Sequence, residues 1–209
     1  MKTNDHNKST LDYLNEFALN TKRQIFFSEI PIQETGYLQF SMTKRTMYIL
    51  HGEGKQIFLI GYHNPKSFNE NELYFGTFFP LSMPKEKNLS IRKRYFFDIF
   101  NIFRKELLKL NNKDFDSQII MNGNDENIVK EYLSDYSIQT LILDSLNLTD
   151  AIIVGFNCVQ IDFVPEFQDK SNFGIFTRLK WFTDNELIEK FFMKIEKFND
   201  SFSKIEKVK

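Results

Sequence analysis

Apolar residues change period several times along this chain, and the changes mark out its elements. Behind a polar lead at residues 1–8, Leu11, Leu14, Phe17 and Ala18 recur on one helical face. Ser9 and Thr10 precede them, and either suits an N-cap; Lys22 and Arg23 fall near the end, where positive charge suits the helix dipole. The period then shortens. Strands are expected at Tyr37–Met42, Met47–Leu50 and Gln56–Tyr62, the last two joined by the glycine-rich turn His51-Gly-Glu-Gly-Lys55. A further strand, Leu73–Phe79, is closed by Pro80 and Pro84, which makes the first half an antiparallel meander.

Phe96, Ile99, Phe100, Phe103 and Leu107 return to helical spacing and predict a helix from about Tyr95 to Leu110. A short strand at Ser117–Met121 follows, then a helix carrying Ile128, Val129, Tyr132 and Leu133, and another over Ile138–Leu146. Strands are expected at Ala151–Phe156, Val159–Val164 and Gly174–Phe182. The last helix, near 184–206, has capping-box spacing at Thr183 and Glu186 and a seam of Ile188, Phe191, Ile195, Phe198, Phe202 and Ile205. The seam is too short for a coiled coil, so packing on the protein's own sheet is the first expectation and pairing with a second copy the second. Elements of both kinds, in mainly antiparallel order, give an α+β fold whose sheet is packed by Phe-rich amphipathic helices.

Residues 9–209 read as one domain, since no Gly/Ser-rich linker divides them. Within them a β-β-β-α order occurs twice, in half-units 37–110 and 117–206, and Phe75-Gly-Thr-Phe78 echoes Phe173-Gly-Ile-Phe176.

Composition changes this picture little. The chain has 24 Phe in 209 residues, and Phe, Ile, Asn and Lys, all with AT-rich codons, are abundant together, which points to a bacterial source of low GC content. Net charge is −1, and the missing basic excess argues against a nucleic-acid partner. The single cysteine, Cys158, excludes an intramolecular disulfide and sits in an apolar run. Neither an apolar leader nor a spanning run is visible, so a soluble cytoplasmic protein with no membrane partner is expected.

Candidate chemistry is sparse. Glu53 and Lys55 form a Glu-x-Lys unit beside a strand, as in nucleases where acids hold Mg²⁺ and a lysine steadies the attacking water, although two glycines around Glu53 are turn chemistry. Asp114 and Asp116 would share a face of an extended segment and complete a metal-dependent hydrolase. Asp125 and Glu126 sit where a helix start favours acids for structural reasons. Arg92, Lys93, Arg94 and Tyr95 form the one basic run beside aromatics, able to meet a nucleic-acid backbone or to lie as a solvated face. His6, His51 and His63 lack metal-ligand spacing, no cofactor motif is present, and Cys158 with His63 would need the fold to bring them together. Trp181 and Phe182 read as core.

The segment Asp114–Asp125, followed by Tyr132-Leu-Ser134 and Ile138–Leu146, resembles uncharacterised bacterial domain families in which a Phe-acid strand precedes a short helix, a Leu-Ser step and a second helix. The resemblance covers about a third of the chain and implies a bacterial protein without assigned catalytic residues. The leading expectation is a non-catalytic module that binds a protein partner, itself or a small ligand; the alternative is the hydrolase.

Overall fold

Alternating apolar positions pair into one sheet in the computed structural model, which describes residues 9–32, 42–52, 54–65, 71–96, 98 and 108–206. The strands are β1 (Ile25–Ile32), β2 (Met42–Leu50), β3 (Phe58–Pro65), β4 (Asn71–Leu81), β5 (Leu89–Lys93), β6 (Ile119–Gly123), β7 (Ile152–Phe156) and β8 (Ser171–Thr177). Every pairing is antiparallel, in the order β1-β2-β3-β4-β8-β7-β5-β6. Among the described residues five α-helices accompany them: α1 (Thr10–Asn20), α2 (Lys113–Gln118), α3 (Glu126–Tyr132), α4 (Tyr136–Leu146) and α5 (Asn185–Glu206). The fold is α+β, as the periodicity predicts.

The two faces of the sheet are covered by different means. On one, Met47, Ile49, Leu59, Phe75, Phe173 and Ile175 pack beneath α1 and α5. The α5 seam of Ile188, Phe191, Ile195, Phe198 and Phe202 is buried there, so it is spent within the chain and is closed to a second copy. Its aromatics interlock: Phe173 lies 4.8 Å from Phe198 and 4.9 Å from Phe202, ring centre to ring centre, and Phe156 lies 4.8 Å from Phe173. On the other face, Phe58, Ile60, Tyr74, Phe78 and Phe176 are covered by the chain between β7 and β8. That segment, expected as a strand at Val159–Val164, forms no ladder. It lays Val159, Ile161, Val164 and Phe167 onto the sheet and is tied down by side chains: the Tyr74 hydroxyl donates to Gln160 O at 2.5 Å, and Asn172 Nδ2 to Val159 O at 3.1 Å.

The Phe-Gly echo has a packing role. β4 and β8 are neighbours at the middle of the sheet, and their register sets Gly76 opposite Phe176 and Phe78 opposite Gly174. Gly174 leaves room for the Phe78 ring, from which a Cβ would lie 2.2 Å, and Gly76 allows the close approach of β8, since a Cβ there would lie 2.1 Å from Ile175 O and 2.5 Å from the Phe176 Cβ. Beyond that pair the halves diverge, because β1–β4 form a meander whereas β7 pairs with both β8 and β5, leaving β6 outermost.

Several boundaries move. β1 and β5 were not expected as strands. Asn112 caps α2, so Asp114 and Asp116 are helical and the extended segment begins only at Ile119. Pro80 lies inside β4, past the last β3 pair at Phe58–Phe78, where its missing N–H breaks no bond to β3. Asp184 caps α5 in place of Thr183, accepting the Leu187 N–H at 3.1 Å. The helix expected near residues 95–110 lies mostly outside the described residues, as do residues 37–41 of the first expected strand. No helix among the described residues is long and apolar enough to cross a membrane.

Candidate functional site

The β1 end of the sheet carries the features that the core does not explain. Ser9 starts α1 through a capping box, its Oγ accepting the Asp12 N–H at 3.2 Å while Asp12 Oδ2 accepts the Ser9 N–H at 2.8 Å. The first turn of α1 thereby stands over a cross-strand row, Glu29–Arg45–His63–Leu73, that runs from β1 to β4. Trp181 closes the far side: its indole N–H donates to Tyr62 O at 3.4 Å, and its ring occupies the space above Gly61, where a Cβ would come within 2.9 Å. Between them is a cleft of about 720 Å³, whose charged walls include Asp12, Glu29, Arg45 and Lys180. Glu29 and Arg45 pair at 2.7 Å, both well exposed. With charges of both signs, and Phe27, Leu73 and Trp181 beside them, the cleft can accept an amphipathic segment. It gathers no metal: among the described residues no group of three or more His, Cys, Asp or Glu could hold one.

β1 itself forms the rim of this cleft and the free edge of the sheet. Phe26 to Pro31 are all exposed, on both sides of the strand. Phe26, Phe27 and Ile30 keep 47%, 53% and 55% of their surface in solvent. Phe26 stacks on Tyr48 of β2 at 4.7 Å, which holds its ring against the sheet without covering it. The backbone direction of the edge follows from one bond. Leu50 N donates to Gln24 O at 3.1 Å, so position 24 and every second residue after it bond to β2. The N–H and C=O groups of Ile25, Phe27 and Glu29 therefore point outward, with the C=O alone of Pro31. Among the described residues no strand pairs with them.

The candidates read from sequence fall elsewhere. Glu53 lies outside the described residues. Lys55 pairs with Glu196 of α5, and beside it His51 stacks on Phe192 at 4.6 Å and approaches Glu196 at 3.5 Å. Arg23 completes this group, donating from Nε to His51 O at 3.0 Å and from Nη2 to Glu189 at 3.0 Å, with its guanidinium 4.5 Å from the Phe192 ring centre. Burial lowers the His51 pKa, with Arg23 and Lys55 adding to the effect and Glu189 opposing it. The group is a clamp that fastens the ends of the β1–β2 hairpin to α5. Asp114 and Asp116 lie on α2 beside β6, at the opposite side of the sheet from Lys55; five strand spacings of about 4.8 Å separate β3 from β6, so the structure does not bring these residues together.

The basic run is likewise committed to internal contacts. Arg92 forks onto Asp98 at 2.7 and 2.6 Å, Lys93 donates to Asn147 Oδ1 at 2.9 Å, and Arg94 donates to Asp116 O and Ile119 O at 3.1 and 3.0 Å. Tyr95 lies beside the Arg92 guanidinium. Asp125 serves as the α3 cap, accepting the Asn127 N–H at 2.7 Å, and its pKa is lowered first by Lys87. Cys158 packs on the face away from His63 and donates to Leu89 O at 3.2 Å; burial pushes its thiol up to about 12, which keeps it protonated and inert at neutral pH.

Sequence reasoning passed over β1 because its apolar residues occupy both faces and Pro31 interrupts them. It read Trp181 as core, where the structure makes it a half-buried wall of the cleft. No family model, curated protein or solved structure matches the chain.

Proposed function

We propose that this protein is a non-catalytic binding module that takes an extended polypeptide segment onto the free edge of β1. The observation that carries this reading is the unbroken exposure of Phe26 to Pro31 on an outermost strand that contains three large apolar side chains. Natural edge strands are normally short, charged or covered, because bare ones recruit other chains. An added strand would satisfy the outward N–H and C=O groups of β1, while Phe26 and Ile30 on one face and Phe27 on the other select apolar partners at alternate positions. The adjoining cleft gives room for a side chain or flanking turn of the bound segment, with Glu29, Arg45 and Lys180 available to polar groups.

Native mass spectrometry of the protein purified gently from its own host tests this. The expected result is additional polypeptide mass on the wild-type chain that is lost in a Phe27→Pro variant. That substitution removes one outward N–H, and proline is tolerated on the open side of an edge strand. Additional mass that survives Phe27→Pro, or a bare single chain at every concentration tried, overturns the reading.

A further inference from the structure

Resting on that strand-addition reading, we infer that the segment that docks on β1 is β1 of a second copy, antiparallel about a two-fold axis at Ser28. The geometry of the edge selects both the partner and the register. Outward backbone bonds come only from positions 25, 27, 29 and 31, so a β1–β1 ladder must pair these positions with each other. Three central registers satisfy this. Centring on Glu29 sets the two Glu29 carboxylates directly opposite, a like-charge pair that opposes association. Centring on Phe27 sets the two Phe27 rings opposite each other but leaves Phe26 opposite Ser28, Ile25 opposite Glu29 and Ile30 opposite Gln24, whereas the Ser28 register leaves only Phe27 opposite a polar residue, Glu29. Centring on Ser28 sets Phe26 of each copy opposite Ile30 of the other, on one face. On the other face it brings the two Phe27 rings into diagonal contact across the axis, with Glu29 beside its own Arg45.

In this arrangement Phe27 and Glu29 exchange both backbone bonds, and the Pro31 carbonyl takes the Ile25 N–H. Pro31, which has no N–H to give, is thus used only as an acceptor. All three large apolar side chains exposed on β1 acquire apolar neighbours, from a single surface that is its own complement, the condition for a closed dimer. The two half-sheets would join into one continuous sheet.

The interface is small. With an aromatic side chain burying about 150–250 Å² when fully covered, the exposed fractions of Phe26, Phe27 and Ile30 amount to roughly 600 Å² over two copies. The three side chains alone thus supply about half of the ~1,200 Å² of a standard stable complex, and the backbone of a few paired residues adds a smaller share. The dimer is therefore reversible and concentration-dependent, and the cross-strand geometry offers a way to trap it. Ser28 lies at a position that does not bond outward, where facing Cα atoms approach to about 4.5 Å, within disulfide range.

Oxidation of a Ser28→Cys variant should yield a covalent dimer, whereas Phe26→Cys and Ile30→Cys should each remain monomeric alone and cross-link only when mixed. The wild-type chain, whose only thiol is the half-buried Cys158, is the control. Light scattering over a concentration series should show the untrapped dimer dissociating on dilution. It should also show that Ile30→Lys abolishes association and that the Phe26→Glu/Ile30→Lys double variant restores it. Unchanged near-ultraviolet circular dichroism establishes that the variants fold. A Ser28→Cys chain that stays monomeric under oxidation, or Phe26→Cys alone cross-linking as readily, overturns the second-copy assignment. If another polypeptide then remains on the wild-type chain and is lost in Phe27→Pro, strand addition stands and only the partner is wrong. If neither a second copy nor another chain is found, both fall.

Discussion

β6 and β1 are the outermost strands of the same sheet, and each has one paired side. At β6, Ile119, Ile120 and Met121 are buried, the preceding helix α2 packs on α4 and β6, and Arg94 ties the end of β5 to the backbone of Asp116 and Ile119. At β1, six consecutive residues are exposed, and among the described residues no helix covers the outer side. One end of the sheet is finished by the chain's own helices. The other carries apolar side chains that contribute little to the isolated fold, which is the pattern expected of surface reserved for association rather than for stability.

The largest effect that separates the two edges should come from truncating their apolar side chains. Met121→Ala should lower unfolding free energy by about 2–5 kcal/mol through loss of burial and a residual cavity. Phe27→Ala should change the isolated chain by less than about 1 kcal/mol, since half of its ring is already in water. Urea denaturation at low protein concentration measures both; comparable losses would mean that β1 is held by core packing after all. Next, Arg94→Ala should cost about 1–3 kcal/mol by leaving two carbonyls without their charged donor. Arg94→Lys should recover only part of it, because Nη2 donates to both carbonyls from a rigid planar group, and a flexible ammonium lacks that fixed aim.

A pH effect should then act on the β1 side alone. His51 titrates below the ordinary histidine value of 6.5 in the folded protein, so the unfolded chain binds the proton more readily. Stability is complete above that value and falls as pH drops through 6.5 toward the folded-state pKa. The charged groups around the ring are Arg23 and Lys55, which oppose its protonation, and Glu189 and Glu196, which face it from α5. Hydrogen-exchange protection, corrected for the intrinsic rate, should therefore fall in β1 and β2 as pH drops below 6.5 while that of β6 is unaffected by this titration, and His51→Gln should flatten the response. The smallest effect belongs to Lys55→Ala. Its pair with Glu196 is half-exposed, worth under about 1 kcal/mol, and should vanish at high salt.

Sequence pattern revealed most of this fold wherever one face of an element is buried. β2, α1, α4 and α5 follow from period, because Met47 and Ile49, or Ile188, Phe191 and Ile195, repeat at the spacing of one covered face. β3 and β4, covered on both faces, follow from near-continuous apolar runs such as Ile57–Ile60. It failed where burial and period part company. Val159 and Ile161 alternate like a strand but cover the sheet without joining it. Leu89 and Ile91 alternate inside β5, hidden by the basic residues that follow them. β1 lacks a buried face altogether, so its pattern has no period to read. The candidate site was invisible for a related reason: Asp12, Glu29, Arg45, His63 and Trp181 are brought together by strand register, and no local spacing encodes a register.

The order of the strands also dictates when the sheet can close. β4 and β8 are adjacent at its centre, yet paired residues such as Phe75 and Thr177 are about a hundred positions apart in the chain. The β1–β4 meander emerges first during synthesis and must wait, with the inner side of β4 open, until β8 has left the ribosome. During that interval the nascent chain has two unpaired strand borders, one of them lined by Phe75, Phe78 and Phe79. Long-range antiparallel closure of this kind is slow, and a chain built this way is most vulnerable to misassembly before its last third is made. Folding yield should therefore depend more on the arrival of β8 than on anything in the half that precedes it.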